Sequence, residues 1–379
     1  MEGSVQIGKI FDIPILLHFT FLLVIPLFAW IIGSQIELTT VILASLFGIE
    51  GRVDISLITA GFMPYILGTI VSLGLFGGVL LHELAHSLVA QSRGIKINSI
   101  TLLILGGVAS MEESLPDPRV ELPMALAGPV ASLVIGLVTS AMAWASILYV
   151  PDTAIAGLLF YVFGYLGLLN IILFGFNLLP AFPMDGGRVL RAALARRMSL
   201  HRATRIAADI GRGFAIIFGI VGFLVFNPIL IIIAVFIYIG AGQEALMIKY
   251  NVLLQDVSVT DVMSSPVVTI PTTLPVDEAI SMMYSSRHLG FPVMERNDLV
   301  GIVTLADVHA ISSIDREAMQ VQDIMTKDLV TLPPSAPLTE ALRIMSSAGI
   351  GRIPIMDKGE LKGIVTRTDI LRVMQLKEV

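Results

Sequence analysis

His82-Glu83-Leu84-Ala85-His86 lies within residues 64–90, PYILGTIVSLGLFGGVLLHELAHSLVA, a run whose only charged side chain is Glu83. About 20 mostly apolar residues cross a bilayer as a helix, so the run reads as a membrane span carrying two histidines and a carboxylate. Four residues along a helix return to the same face, and both imidazoles can reach one metal ion with Glu83 beside it. The competing reading is a pair of buried structural histidines. Two His and a Glu are costly in hydrocarbon, and ionisable residues placed there are functional by default, which favours the metal. The chain has no Cys, so any further ligand is His, Asp or Glu. A catalytic zinc takes three protein ligands and keeps one position open.

The surroundings extend the membrane reading. Of 379 residues 55% are hydrophobic and 14% charged, against about 25% charged in an average soluble domain, and mean hydropathy is +0.86. A net charge of −6 without a dense Lys/Arg block excludes nucleic acid as the main partner. Residues 15–33, 122–150, 156–179, 203–226 and 228–247 are further spans, six with residues 64–90. The apolar run 38–47 is too short to cross, and residues 34–63 read as an external loop or interfacial insert. If there are six spans, Arg93, Lys96, Arg119, Arg188, Arg191, Arg196, Arg197, Arg202, Arg205 and Lys249 share one side, and Arg52 alone lies opposite. The positive-inside rule then places both termini in the cytoplasm.

Charge changes character near residues 249–255. The first 251 residues hold 13 Lys/Arg and 14 Asp/Glu, and the rest hold 11 and 16, roughly doubling the charged fraction and marking a soluble domain of ordinary composition. That domain is an internal repeat. Residues 261–308 align with 323–370 at a constant offset of 62, with 18 of 48 pairs identical. Each copy reads as strands alternating with helices, a small α/β module present twice.

A third metal ligand has few candidates at membrane depth. Asp185 stands in Asn177-Leu-Leu-Pro-Ala-Phe-Pro-Met-Asp185-Gly-Gly-Arg188, at the end of the fourth span. His82 and His86 lie roughly 10–16 Å along the helix from Arg93 at 1.5 Å per residue, and an irregular chain through two prolines can bring Asp185 to that depth. By itself Asp-Gly-Gly also reads as a polar loop turn.

Together, HELAH in one span and NLLPAFPMDGG at the end of a later one resemble the site-2 protease family of intramembrane zinc metalloproteases (peptidase M50-like). Leu126-Ala127-Gly128-Pro129 and Gly106-Gly107 are similar to further motifs of that family. The resemblance covers essentially the whole membrane domain. It implies that His82, His86 and Asp185 ligate one Zn2+, that Glu83 is the general acid/base, and that Asn177 assists at the scissile carbonyl. The repeat resembles a pair of CBS domains. That resemblance implies clefts for AMP, ADP or ATP in which Asp307 and Asp369 meet ribose hydroxyls and Thr304 and Thr366 a phosphate, with Arg352 and Arg367 as further phosphate contacts; it also implies homodimerisation. Thr followed three residues later by an acid is equally a helix N-cap arrangement.

The expected fold is a multi-pass α-helical membrane protein of about six transmembrane helices with a short membrane-associated β element, followed by a soluble α/β tandem CBS module. The expected domains are 1–250, 251–315 and 316–379. The expected activity is intramembrane hydrolysis of peptide bonds in or near transmembrane segments of substrates in the cell membrane. Residues 99–110, SITLLILGGVAS, read either as an interfacial strand that packs the bundle or as an edge that pairs with unwound substrate. His18 is a channel or interface residue, His201, His288 and His309 surface or packing residues, and Glu112 and Glu113 solvated acids. The rival readings are a CBS-regulated transporter or channel and a catalytically silent membrane sensor. Inverted repeats, the mark of many transporters, are not found in residues 1–250, and an intact Glu83 argues against the silent sensor.

Overall fold

In a computed structural model the chain is described at residues 3–103, 106–111, 117–312, 316 and 318–377. Ile104, Leu105, Glu112 and Glu113 lie outside the described residues. Two units divide the chain, Met1–Ile248 and Lys249–Val379.

The first unit opens with strands β1 (Ser4–Ile10) and β2 (Ile13–His18), followed by helices α1 (Phe21–Ser34) and α2 (Ile36–Leu46). This departs from the expected first span at residues 15–33. Its beginning is β2, held in a sheet, and α1 has 14 residues, about 21 Å at 1.5 Å per residue, shorter than a bilayer core. Of the two readings of residues 34–63, an external loop or an interfacial insert, a plain loop does not describe residues 36–46. The apolar run there is too short to cross but long enough for α2, whose Leu43 is fully buried in a cluster with Phe160 and Tyr161. α1 and α2 are bent from one another by 71°, a broken span if counted together.

Helix α3 (Met63–Ser92) carries HELAH. Strands β3 (Ile97–Leu103) and β4 (Gly106–Met111) follow, completing a sheet ordered β1-β2-β3-β4. β2 and β3 are parallel and the outer pairs antiparallel. The alternation of β2 and β3 turns Ile13, Ile15 and Ile100 into one cluster with Leu84 of α3. The described residues of 99–110 thus lie in two antiparallel strands, the second of which is an edge of the sheet.

Helix α4 (Pro118–Tyr149) starts where Asp117 accepts from the Arg119 N–H and Pro118 takes a first-turn position, a pairing that suits a helix start. Asp152 caps α5 (Thr153–Asn177) in the same way. Helices α6 (Asp185–Ala195), α7 (Leu200–Leu224) and α8 (Pro228–Leu254) complete the bundle. Among the described residues α3, α4, α5, α7 and α8 are long and apolar enough to cross a membrane, and the α1–α2 pair raises the number to six. The protein is a membrane protein.

In the second unit the repeat is visible residue by residue. The hairpin β6 (Gly290–Glu295)–β7 (Asp298–Thr304), preceded by β5 (Ile270–Pro271), has the same register and the same bulge as β8 (Arg352–Asp357)–β9 (Glu360–Thr366), each shifted by 62. The copies exchange short bridges: Ser264 pairs with Ile364 of the second copy, and Thr326 with Ile302 of the first. At each crossing a methionine lies on a glycine. A Cβ on Gly363 would stand 2.5 Å from the Met263 sulfur, and one on Gly301 2.4 Å from that of Met325.

Candidate metal centre

Asp185 does not sit in a loop. It is the first residue of α6, and the two glycines after it allow that helix to start hard against the chain entering it. A Cβ on Gly186 would lie 2.2 Å from the Leu179 carbonyl oxygen, and one on Gly187 2.7 Å from the Phe182 nitrogen. Asp-Gly-Gly is therefore a folding requirement for close approach, not the polar turn that its composition suggests.

This start delivers the carboxylate to α3. Asp185 Oδ2 lies 3.1 Å from His82 Nε2 and 3.1 Å from His86 Nε2, and the two imidazole nitrogens are 3.1 Å apart. The three side chains are 13%, 6% and 9% exposed. A tetrahedral ion with bonds of about 2.0–2.1 Å would hold its ligands about 3.3 Å apart, so this triangle is close to the right size. Among the described residues these three form a group whose donor atoms lie close enough together to hold a metal ion.

The far side of each ring decides what the near side can do. His86 Nδ1 is 2.6 Å from the Met124 carbonyl oxygen. A carbonyl only accepts, so Nδ1 carries the hydrogen and the neutral ring turns the Nε2 lone pair towards Asp185. His82 Nδ1 meets the Ser132 hydroxyl at 2.9 Å. Metal-ligating imidazoles are oriented by just such second contacts. With the rings neutral, two Nε2 lone pairs and an anionic oxygen converge, and a cation resolves their repulsion. The donor set fits zinc.

Helix α4 supplies both orienting groups and also the space. A Cβ on Gly128 would be 2.2 Å from His86 Nε2 and 2.6 Å from His82 Nε2. Glu83 is half-buried beside the triangle, and a Cβ on Gly107 of β4 would stand 2.4 Å from its Cγ; the edge strand passes directly over this carboxylate. Asn177 is the last residue of α5, half-buried, and one of its amide hydrogens goes to the Leu173 carbonyl at 3.0 Å. It is not drawn into the triangle. His18 is on β2, bonded to Thr20 at 2.9 Å. Sequence reasoning missed Ser132 and Met124, since nothing in their spacing ties them to α3, and it singled out Gly128 and Gly107 as motif residues without the contacts that they make.

In the second unit Thr304 and Asp307 form an N-terminal capping box on helix α9 (Leu305–His309). Asp307 Oδ2 accepts from the Thr304 N–H and hydroxyl, both at 2.7 Å. Thr366 and Asp369 repeat the arrangement at 3.0 and 2.6 Å. The helix-cap role is thus real at both positions. Thr304 and Asp307 also line a cleft of about 380 Å³, with Thr326, Ile350 and Arg352 among its other walls. Burial pushes the Arg352 guanidinium below its ordinary value, and the Asp307 carboxylate opposes that fall. Arg367 donates to the backbone carbonyls of Ile350 and Met345 at 3.1 and 2.7 Å, which is a structural use.

Comparison with known proteins places both units. The profile of peptidase family M50 matches residues 70–156 and 142–218, and that of the CBS domain residues 259–312 and 321–376. The zinc metalloprotease MJ0392 of Methanocaldococcus jannaschii is 34% identical over 380 residues, covering 100% of this chain and 98% of that protein. Rip3 of Mycobacterium tuberculosis is 28% identical, covering 99% and 94%. The solved site-2 protease of Methanocaldococcus jannaschii aligns at 38% identity with a TM-score of 0.41, covering 64% of this chain and 95% of that one.

Gly128→Ala is expected to displace both Nε2 atoms. Bound zinc, measured by elemental analysis of the purified protein, should fall from about one per chain to well below half, with helical content by circular dichroism unchanged.

Proposed function

The chain belongs to peptidase family M50, as a zinc metalloendopeptidase with a C-terminal pair of CBS domains, and from that premise we propose that it cleaves transmembrane segments of substrate proteins inside the membrane. The observation that carries this reading is the triangle of His82, His86 and Asp185, built into helices long and apolar enough to cross a bilayer. These three residues would hold the zinc, which when bound would supply Lewis acidity towards a carbonyl and lower the pKa of a bound water to about 7. Glu83 takes the proton of the attacking water and returns it to the leaving amine. Asn177 has a second amide hydrogen beyond the one given to Leu173, and donates it to the developing oxyanion.

A substrate helix hides its peptide bonds, so it unwinds before it is cut. The free edge of β4, lying over Glu83, receives the unwound segment as an added strand. An open strand edge at membrane depth has no water to satisfy it, and a peptide seated there pairs its N–H and C=O groups. In the topology we favour, the α1–α2 pair counts as one broken span. The Lys/Arg-rich side, with both termini and the CBS pair, then faces the cytoplasm.

The CBS pair regulates the protease by binding an adenine nucleotide between its copies. Asp307 uses Oδ2 for the helix cap, which leaves Oδ1 for ribose hydroxyls, while Thr304 and Arg352 on the walls of the same cleft take the phosphate. Thr366 and Asp369 form the equivalent position in the second copy.

Purified full-length protein should hold one zinc per chain and cleave a model transmembrane substrate. Glu83→Gln should keep the zinc and lose at least 10²-fold in rate, the lower end of what a general base contributes; zinc-free wild type or an active Glu83→Gln contradicts the reading. Val108 is 45% exposed on β4, and the chain has no other thiol. In a Glu83→Gln background, Val108→Cys should form disulfides with substrate cysteines at every second position near the scissile bond, the period of a strand. A period of three to four would show that the substrate stays helical. Asp307→Asn should weaken AMP binding to the full-length protein by about 10–100-fold in calorimetry, the loss of a charge-assisted hydrogen bond.

A further inference from the structure

A buried ion cluster of the first unit lies outside the triangle and outside the mechanism above. Arg191 of α6 donates through Nε to Glu121 Oε1 at 2.8 Å and through Nη2 to the same oxygen, and through Nη1 to Glu244 Oε1 at 2.5 Å. Arg191 and Glu121 are each 3% exposed and Glu244 25%. The three residues come from α6, the first turn of α4, and α8. Two carboxylates share one guanidinium, and Glu121 Oε2 has no hydrogen-bond partner. A buried ionic cluster is poor value as a source of stability, because desolvation consumes most of its Coulombic gain. Its position offers a different reason for it.

Arg191 ties α6, which carries Asp185, to α4, which orients the histidines. On one side it shares α6 with Asp185, six residues earlier, and its guanidinium stands 5.0 Å from the centroid of the Phe182 ring, in the segment that enters α6. On the other side it grips Glu121, three residues before Met124, whose carbonyl orients His86. The same α4 carries Gly128 and Ser132, which seat and orient the histidines. Glu244 closes the grip from α8. A planar fork with several fixed donors defines a geometry that a single ammonium cannot.

We propose that Arg191, held by Glu121 and Glu244, is a positioning residue that sets the distance from Asp185 to His82 and His86 and thereby the affinity of the site for zinc. The role rests on the metal reading of the triangle and assigns no contact between Arg191 and substrate. Removing one member of a buried ion cluster leaves an uncompensated charge, whereas neutralising all members is often tolerated. The informative variants are therefore the triple change Arg191→Met, Glu121→Gln, Glu244→Gln, and the single change Arg191→Lys, which keeps the charge and loses the fork.

The test measures two quantities on full-length protein: the zinc dissociation constant by competition with a chelator, and the unfolding midpoint of the metal-free form. The triple variant should keep its metal-free midpoint within a few degrees of wild type and bind zinc about 10–100-fold more weakly, the usual effect of losing groups that orient a ligand. Arg191→Lys should show about tenfold weaker binding, and it decides alone if the triple variant does not fold. Zinc affinity within twofold of wild type in the folded variants overturns the positioning role, whether or not the midpoint falls. Wild-type protein that binds no zinc overturns the metal reading itself, which separates the two failures.

Discussion

Two imidazole nitrogens and a carboxylate oxygen meet within 3.1 Å of one another in an apolar bundle. In a neutral His86 ring the hydrogen bond from Nδ1 to a carbonyl turns the Nε2 lone pair towards the carboxylate, so with neutral rings acceptors face acceptors where water is scarce. That is costly for a chain alone and favourable around a dication. The first unit is arranged about this requirement: α3 presents the histidines, α4 orients them from behind, and the chain between α5 and α6 turns sharply enough to return Asp185 to their depth.

Close approach of backbones makes the arrangement possible, and glycine is what permits it. Gly128 clears the space in front of the histidines, Gly107 brings an edge strand against Glu83, and Gly186 and Gly187 let α6 begin on top of its own entry segment. Each lies at a contact where even a methyl group would meet another atom at under 3 Å. Activity in this fold depends on where small residues stand as much as on the reactive groups.

The reading of the sequence followed the range of each interaction. HELAH is local: four residues on one helix face, legible from spacing alone. The repeat is also legible, because an offset of 62 held across 48 residues leaves little freedom, and the two hairpins share a register and a bulge. Asp185 was visible by its chemistry and through the family resemblance of the segment that carries it, and Ser132 and the Met124 carbonyl not at all, since they reach the histidines across 50 and 38 residues. Residues 15–33 depart from one continuous span for a related reason. Hydropathy reports that a segment avoids water and is silent on whether it does so as a strand paired to β3, a short helix, or a helix turned by 71°. Thr304 and Asp307 satisfy two descriptions at once, a helix cap and the wall of a cleft, which composition alone could not separate.

The central claim concerns what the three converging side chains bind. X-ray absorption at the zinc edge on metal-loaded full-length protein addresses it directly. The account predicts a four-coordinate site with two imidazoles at about 2.0–2.1 Å and oxygen ligands at about 2.0–2.2 Å, with one imidazole lost in His86→Ala and the oxygen shell altered in Asp185→Ala. A six-coordinate shell without imidazole scattering, or a spectrum unchanged by these substitutions, would contradict it.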